Sequence, residues 1–278
     1  MALVDFEGDE MAERLADAIA RRVGFRRLDV LPKVTAFLAQ VQVAERPGYA
    51  GLLMTAASTD QGWLDFIERL LIHETYFFRH PAQLELLRDQ ILCGLDAQRR
   101  DEGRSELIVW NAGCSTGEET WTLALLAGET DEGPVIPLSI LATDLSEPAL
   151  AMARSGVYGR LHGLDSFRAI PPWAMRHFRG SDPVWRVPDK LRRGVSFLRH
   201  NLLDPPPIAG ADLVLCRNTL IYFDEPANRR AQDSLAAALR PGGVLVLGSA
   251  DTLRVADGFE PIIAAGATAY RKTAGQRS

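Results

Sequence analysis

The chain has 278 residues, 47% of them hydrophobic and 24% charged, with a formal net charge of −5. This composition excludes a disordered tail, a collagen-like repeat and a disulfide-stapled miniprotein, and no apolar run nears the ~18 residues of a membrane span. The acidity argues against a general nucleic-acid binder. The acidic opening MALVDFEGDE lacks a secretory signal pattern, and three scattered cysteines (Cys93, Cys114, Cys216) fit a reducing compartment, so the expectation is a cytoplasmic protein.

The first hundred residues read as helical. Met11, Leu15, Ala18, Ile19 and Val23 recur at helical spacing, as do Val34, Phe37, Leu38 and Val41, and then Trp63, Phe66, Ile67, Leu70 and Leu71. Pro81 opens a further helix with Leu84, Leu87, Ile91 and Leu92 on one side. Charge here is uneven: Asp5, Glu7, Asp9, Glu10, Glu13 and Asp17 oppose only Arg14, whereas Arg21, Arg22, Arg26, Arg27 and Lys33 oppose only Asp29. The plain reading is a pair of solvated helix faces; the functional one is a basic docking face for an acidic partner helix. The polar stretch Ala97–Ser105 reads as a linker, giving a helical domain over 1–96 and a second domain over 105–278.

The second domain alternates short apolar runs with helices. Leu107–Trp110, Leu138–Thr143, Val195–Leu198, Leu213–Cys216 and Val244–Leu247 are the runs, and helices are expected around Trp121–Leu126, from Pro148 to Ala153, and around Leu235 and Leu239. This pattern predicts a parallel sheet covered on both faces. Pro261–Ala265, Gly266 and Thr268–Arg271 read as a closing hairpin, so the last strand is expected to run antiparallel. Residues 160–193 are rich in proline and tryptophan and fit neither scheme, which suggests a small inserted subdomain around 165–193.

The segment Asn111-Ala112-Gly113-Cys114-Ser115-Thr116-Gly117-Glu118-Glu119 follows a predicted strand and opens a helix. Glycines there let the backbone approach a ligand at the carboxyl end of a sheet. The turn is neither G-x-G-x-x-G nor a lysine-bearing phosphate loop, and Glu118 and Glu119 would repel phosphates while attracting a cation. Asp144, ending the second predicted strand, is placed to hold ribose hydroxyls, the plainer alternative being a helix cap. Together these features suggest a nucleoside ligand that lacks phosphates and carries a positive group; S-adenosylmethionine fits that description and NAD fits poorly.

Five stretches extend this reading. Glu74-Thr75-Tyr76-Phe77-Phe78-Arg79, Asn111 to Glu119, Ala142-Thr143-Asp144, Asn201-Leu202-Leu203-Asp204 and Cys216-Arg217-Asn218-Thr219-Leu220-Ile221-Tyr222-Phe223-Asp224, with Pro241-Gly242-Gly243 beyond, occur in that order. In this the chain resembles the chemotaxis receptor methyltransferases, the CheR-type protein-glutamate O-methyltransferases. The resemblance implies an α/β fold: a seven-stranded Rossmann-like S-adenosylmethionine methyltransferase sheet with an antiparallel last strand, plus a small all-helical N-terminal domain. It also implies that Thr75 and Arg79 reach the cofactor, with His73 standing where many relatives carry Asn. Glu118 would face the methionine end, Gly113 would lie in the cofactor turn, and Asp144 would hold the ribose. Asn201 and Leu202 would flank the adenine, and Arg217 with Asn218 would line the pocket floor.

Methyl transfer to a glutamate needs no general base, because a carboxyl of pKa ~4.3 is already ionised at neutral pH. The resemblance places Arg79 and Tyr222 near the methyl, as the groups that orient the acceptor carboxylate. The expected product is S-adenosylhomocysteine. The expected partner is the cytoplasmic helical region of a chemoreceptor-like protein, with no nucleic acid, no membrane insertion and a monomeric enzyme. Two alternatives stay open: a non-catalytic S-adenosylmethionine-binding module that docks a receptor, and a methyltransferase for another carboxylate. Asp204-Pro205-Pro206-Pro207 looks like an amino-methylating motif but precedes the strand on which that motif belongs, and reads as a loop. The histidines show no metal-ligand spacing.

Overall fold

The computed structural model describes residues 6–128, 136–161, 164–254, 257–264 and 266–273. The chain divides into two units, Met1–Ile72 with Leu220–Ala231, and His73–Thr219 with Gln232–Ser278.

The first unit holds helices α1 (Phe6–Val23), α2 (Arg27–Leu38), α3 (Arg46–Thr55) and α4 (Gln61–Glu68). The apolar residues read at helical spacing form its core: Leu15, Ile19, Val23, Val34, Leu38, Trp63, Phe66 and Ile67 are all buried. The basic run turns largely onto its own unit. Arg22 lies 3.5 Å above the Trp63 ring and donates to Ala56 O, Arg27 pairs with Asp17 at 2.7 Å, and Lys33 donates to Leu70 O. Asp5 of the acidic run lies outside the described residues. Residues 220–231 join this unit through a bridge between Phe25 and Phe223 and a bond from Arg26 N–H to Tyr222 O at 2.9 Å.

The second unit begins earlier than the composition suggests. Helix α5 (Pro81–Leu86), a π-turn over Leu87–Leu92 and α6 (Cys93–Asp101) bury Leu84, Leu87, Ile91, Leu92 and Leu95 in one core with the sheet. The stretch expected as a linker is helical through Asp101, and Arg99 within it is buried because its guanidinium meets the buried carboxylate of Asp212 at 2.7 Å. The division at 96–105 therefore falls inside this unit. An amphipathic helix buries its apolar stripe wherever a matching face is offered, and here the sheet offers it.

Along the chain follow β1 (Leu107–Ala112), α7 (Glu118–Gly128), β2 (Leu138–Asp144), α8 (Glu147–Ser155), β3 (Val157–Leu161), β4 (Leu164–Asp165), α9 (Pro172–Met175), β5 (Arg179–Ser181), β6 (Val184–Arg186) and α10 (Asp189–Arg192). Then come β7 (Val195–Arg199), β8 (Ala211–Cys216), α11 (Glu225–Ala238), β9 (Leu239–Leu247), β10 (Phe259–Ala264) and β11 (Ala267–Lys272). The main sheet has the order β10-β11-β9-β8-β1-β2-β7. The pairs of β1 with β2 and β8, of β2 with β7 and of β8 with β9 are parallel, and β11 is antiparallel to both neighbours. Burial of every β8 residue explains its continuous apolar run.

Two boundaries differ from the sequence expectation. Leu239 opens β9 rather than closing a helix, so Pro241-Gly242-Gly243 lies in the strand, where the pairing with β8 shifts register. The inserted subdomain is an antiparallel sheet, β4-β3-β6-β5, whose first strand in the chain starts at Val157, ahead of the expected 165. Ala265, in the expected hairpin, lies outside the described residues. No described helix is long and apolar enough to cross a membrane.

Candidate active site

The carboxyl ends of β1 and β2 are stitched together by the glycine turn. Gly113 N–H and Cys114 N–H both donate to Thr143 O, at 2.8 and 2.9 Å. Gly113 and Gly117 have φ of +77° and +95°, and a Cβ on Gly113 would stand 2.3 Å from Thr219 Oγ1. Both positions demand glycine by conformation and by space. Between them Ser115 adopts φ +49°, which turns its N–H onto Asp144 Oδ2 at 2.8 Å, while Ser146 N–H donates to Asp144 Oδ1 at 3.0 Å. Burial pushes the Asp144 carboxyl up, against the pull of these two N–H bonds and of His73. The Ser115 hydroxyl oxygen is buried without a hydrogen-bond partner.

Glu118, at the start of α7, is only 2% exposed. Thr116 Oγ1 donates to its carboxylate at 2.6 Å and Ser166 Oγ at 2.8 Å. Burial raises this carboxyl despite those bonds. A buried carboxylate held by neutral hydroxyls still has charge to give to a cation, and the amino end of a helix favours its ionised form.

Arg79 sits on a distorted stretch. Phe78 and His80, on either side, have φ of +60° and +61°, and such backbone costs about 1–3 kcal/mol per residue. Several bonds hold it: Phe77 N–H to Ser166 O at 2.9 Å, Phe78 N–H to Thr122 Oγ1 at 3.2 Å, and Arg217 Nη2 to the Arg79 carbonyl. Arg217 is spent on protein partners, with Nε on Gln83 Oε1 at 3.0 Å and Nη1 on Glu119 Oε2 at 2.6 Å. Gln83 in turn donates to Leu247 O at 2.8 Å, so one guanidinium ties α5, α7 and the end of β8 together. The Arg79 side chain donates to Glu74 O at 2.7 Å.

The other expected residues distribute as follows. Asn218 carries a fourth positive φ, +57°. Asn201 Oδ1 accepts from Leu203 N–H at 3.1 Å, and Leu202 beside it is buried. Thr75 and His73 are half-buried. All of these belong to the second unit, whereas Tyr222 belongs to the first. Three contributors escaped the sequence reading. Gln83 carried a signal, a polar residue on the apolar side of its helix; Ser115 and Ser166 carried none, because a strained turn and an inserted sheet deliver them.

The family model for "CheR methyltransferase, SAM binding domain" matches residues 73–266. The chain belongs to this family. The match begins where the second unit begins, at His73. Among relatives, an uncharacterized 104.1 kDa protein of Rhodobacter capsulatus is 33% identical over 95% of this chain, which spans 28% of that protein's length. A chemotaxis protein methyltransferase of Borreliella burgdorferi is 31% identical, covering 73% of this chain and 72% of its own. Chemotaxis protein methyltransferase 1 of Pseudomonas aeruginosa is 32% identical, covering 73% of this chain and 75% of its own.

S-adenosylmethionine is the cofactor of this CheR domain, and the residues present fit it. The side-chain oxygens of Asn111 and Ser115 are buried without a hydrogen-bond partner along the turn, and the acids around it suit a cation rather than a phosphate. Asp144 and Glu118 are two carboxylates at this turn that burial pushes up and that no arginine or lysine bonds directly.

Proposed function

We propose that this chain esterifies glutamate side chains of a chemoreceptor-like protein with the methyl group of S-adenosylmethionine, for sensory adaptation. It acts in the cytoplasm, as a monomer, on the cytoplasmic helical region of that receptor. The observation that carries the reading is the pair of carboxylates, buried Glu118 and half-buried Asp144, flanking a glycine turn with no phosphate-gripping cation. The relatives named chemotaxis protein methyltransferases support the choice of acceptor.

When bound, the cofactor supplies a methyl group on a sulfonium, which an ionised carboxylate accepts without a base. The protein's part is to bind and orient. Asp144 takes the ribose hydroxyls through oxygens already aligned by Ser115 and Ser146 N–H. Glu118 takes the ammonium of the methionine end, with Thr116 and Ser166 fixing its carboxylate. Asn201 and Leu202 would flank the adenine. Arg79, presented by its braced backbone, orients the acceptor carboxylate, which places the reacting oxygen in line at little entropic cost, and the family resemblance alone assigns Tyr222 to the same task. Arg217 and Asn218 shape the floor, the former as a positioning group.

Calorimetric titration with S-adenosylmethionine and S-adenosylhomocysteine tests the cofactor half, beside Asp144→Ala. The expected result is binding by the wild type, weakened about 10–100-fold in the variant, since bonds to a charged group carry about 1.5–3 kcal/mol. Labelled methyl released as methanol by mild base identifies an ester. A base-stable label would overturn the carboxylate acceptor, and no cofactor binding would leave a docking module.

A further inference from the structure

Beside the braced Arg79 lies a second guanidinium that the mechanism has not used. Arg168, in the inserted subdomain, places its guanidinium carbon 3.8 Å from the centre of the Tyr76 ring, and that of Arg79 lies 5.7 Å from the same ring. Tyr76 thus forms a shelf shared by two cations. Arg168 Nη2 also meets Glu74 Oε1 at 3.2 Å, with 37% of the Arg168 side chain and 59% of that of Glu74 exposed. Its register to the site is fixed locally: Ser166 bonds Glu118, and Phe167 stacks on Phe77 with centroids 5.1 Å apart.

From this geometry we infer that Arg168 is a specificity residue that receives a carboxylate of the acceptor polypeptide, next to the one Arg79 orients. The inference rests on the proposed function and deepens it: the preferred acceptor is an acidic surface with carboxylates grouped together rather than an isolated glutamate. Three observations support it. An exposed ion pair such as Arg168–Glu74 is worth about 0–1 kcal/mol, so Glu74 is a counter-ion that an incoming carboxylate displaces easily. Contact with the Tyr76 ring at 3.8 Å restrains the guanidinium, which lowers the entropy lost when a carboxylate docks on its fork. Arg168 also lies close enough to Glu118 to favour that carboxylate's ionised form, yet is itself a third exposed, which puts it on the solvent side of the pair.

The test uses the full chain with a synthetic alanine-based helical peptide bearing paired glutamates on one face, followed by fluorescence anisotropy with and without S-adenosylhomocysteine. Arg168→Ala is expected to weaken peptide binding about tenfold and Arg168→Lys less, because lysine keeps the charge but loses the fork. Tyr76→Leu, which removes the shelf and leaves the charge, is expected to fall between. The matching glutamine peptide should bind wild type no better than Arg168→Ala binds the acidic one. Peptide binding that ignores Arg168, or is missing in the wild type, overturns the inference. A tenfold loss of S-adenosylhomocysteine affinity in Arg168→Ala overturns it too, by assigning the residue to the cofactor. Failure of the wild type to bind S-adenosylhomocysteine sinks the proposed function instead, and the peptide arm without it still decides the role of Arg168.

Discussion

The two ends of the central sheet both bury charge, and they do so in opposite ways. At the amino ends of β1, β8 and β9, Asp212 is wholly buried and ion-paired with two arginines. Its Oδ1 meets Arg99 Nε at 2.7 Å and Arg240 Nε at 2.6 Å, and its Oδ2 accepts from Ile108 N–H at 2.7 Å. Glu102 adds a second acid to both arginines, at 3.2 and 3.6 Å. At the carboxyl ends, buried Glu118 and half-buried Asp144 rest against hydroxyls and backbone N–H groups, and desolvation raises both carboxyls. Backbone strain divides the same way: Phe78, His80, Ser115 and Asn218, the non-glycine residues with positive φ among those described, all lie at the carboxyl end. At the amino end the buried acid faces two guanidinium groups, whereas at the carboxyl end, of the acids at the turn, only Glu119 has an arginine, Arg217. The carboxyl end holds strain and underpaired acid, as a site does when its missing partner is the ligand.

The sharpest way to break this contrast is Asp212→Ala. It leaves two guanidinium groups in a buried pocket with only Glu102 between them, and removing one partner of a buried ion pair costs about 3–5 kcal/mol. Thermal or urea unfolding should record that loss, with cofactor affinity of the folded protein unchanged. A mild effect would mean that Glu102 and water satisfy the arginines, and that the two ends are less different than their geometry.

Glu118→Gln should do the reverse. Its carboxyl is raised by burial in the native state, so the ionised side chain weakens the cofactor-free fold above its unfolded pKa, and the amide removes that penalty. Stability at neutral pH should hold or rise. S-adenosylmethionine affinity should fall about 10–100-fold by calorimetry, because the amide forfeits a charge-assisted bond to the ligand. A variant that lost stability and kept its affinity would move Glu118 to the structural side.

How much of this could be read from residues alone follows the same division. Strands buried on both faces announce themselves as apolar runs, and five of the seven sheet strands stand where those runs predict. The glycine turn and Asp144 were equally plain, because φ beyond +75° at Gly113 and Gly117 leaves a local mark in the residue type. Contacts closed over long sequence distances left none. Asp212 reads as one acid at the start of an apolar run, and nothing nearby says that Arg99 and Arg240 will meet it. The same closure carries α5 and α6 into the second unit, since an amphipathic stripe states that a partner exists without saying which. Positive φ at Phe78 runs against residue preference, and bonds with Thr122, Ser166 and Arg217 hold the stretch in place.

The smallest effect tests how far the ligand-seeking end extends. Asp251 follows β9, with Oδ2 buried and unpartnered, and burial raises its carboxyl to about 6 against the pull of Gly248 N–H. Unfolded, an aspartate titrates near ~3.9, so between these values the native state holds more protons than the unfolded chain. Stability from this group is therefore highest at low pH, falls as pH rises through that window, and stays reduced above it. Asp251→Asn removes the dependence. The difference in melting temperature, variant minus wild type, should be near zero at pH 4, grow through pH 5 and level off in favour of the variant above about pH 6.5, by a few degrees at most given partial exposure. A variant less stable than wild type at pH 7 would instead show that the ionised carboxylate has a partner there. Asp251 would then belong with Asp212 among the matched acids, and the underpaired end would stop at β8.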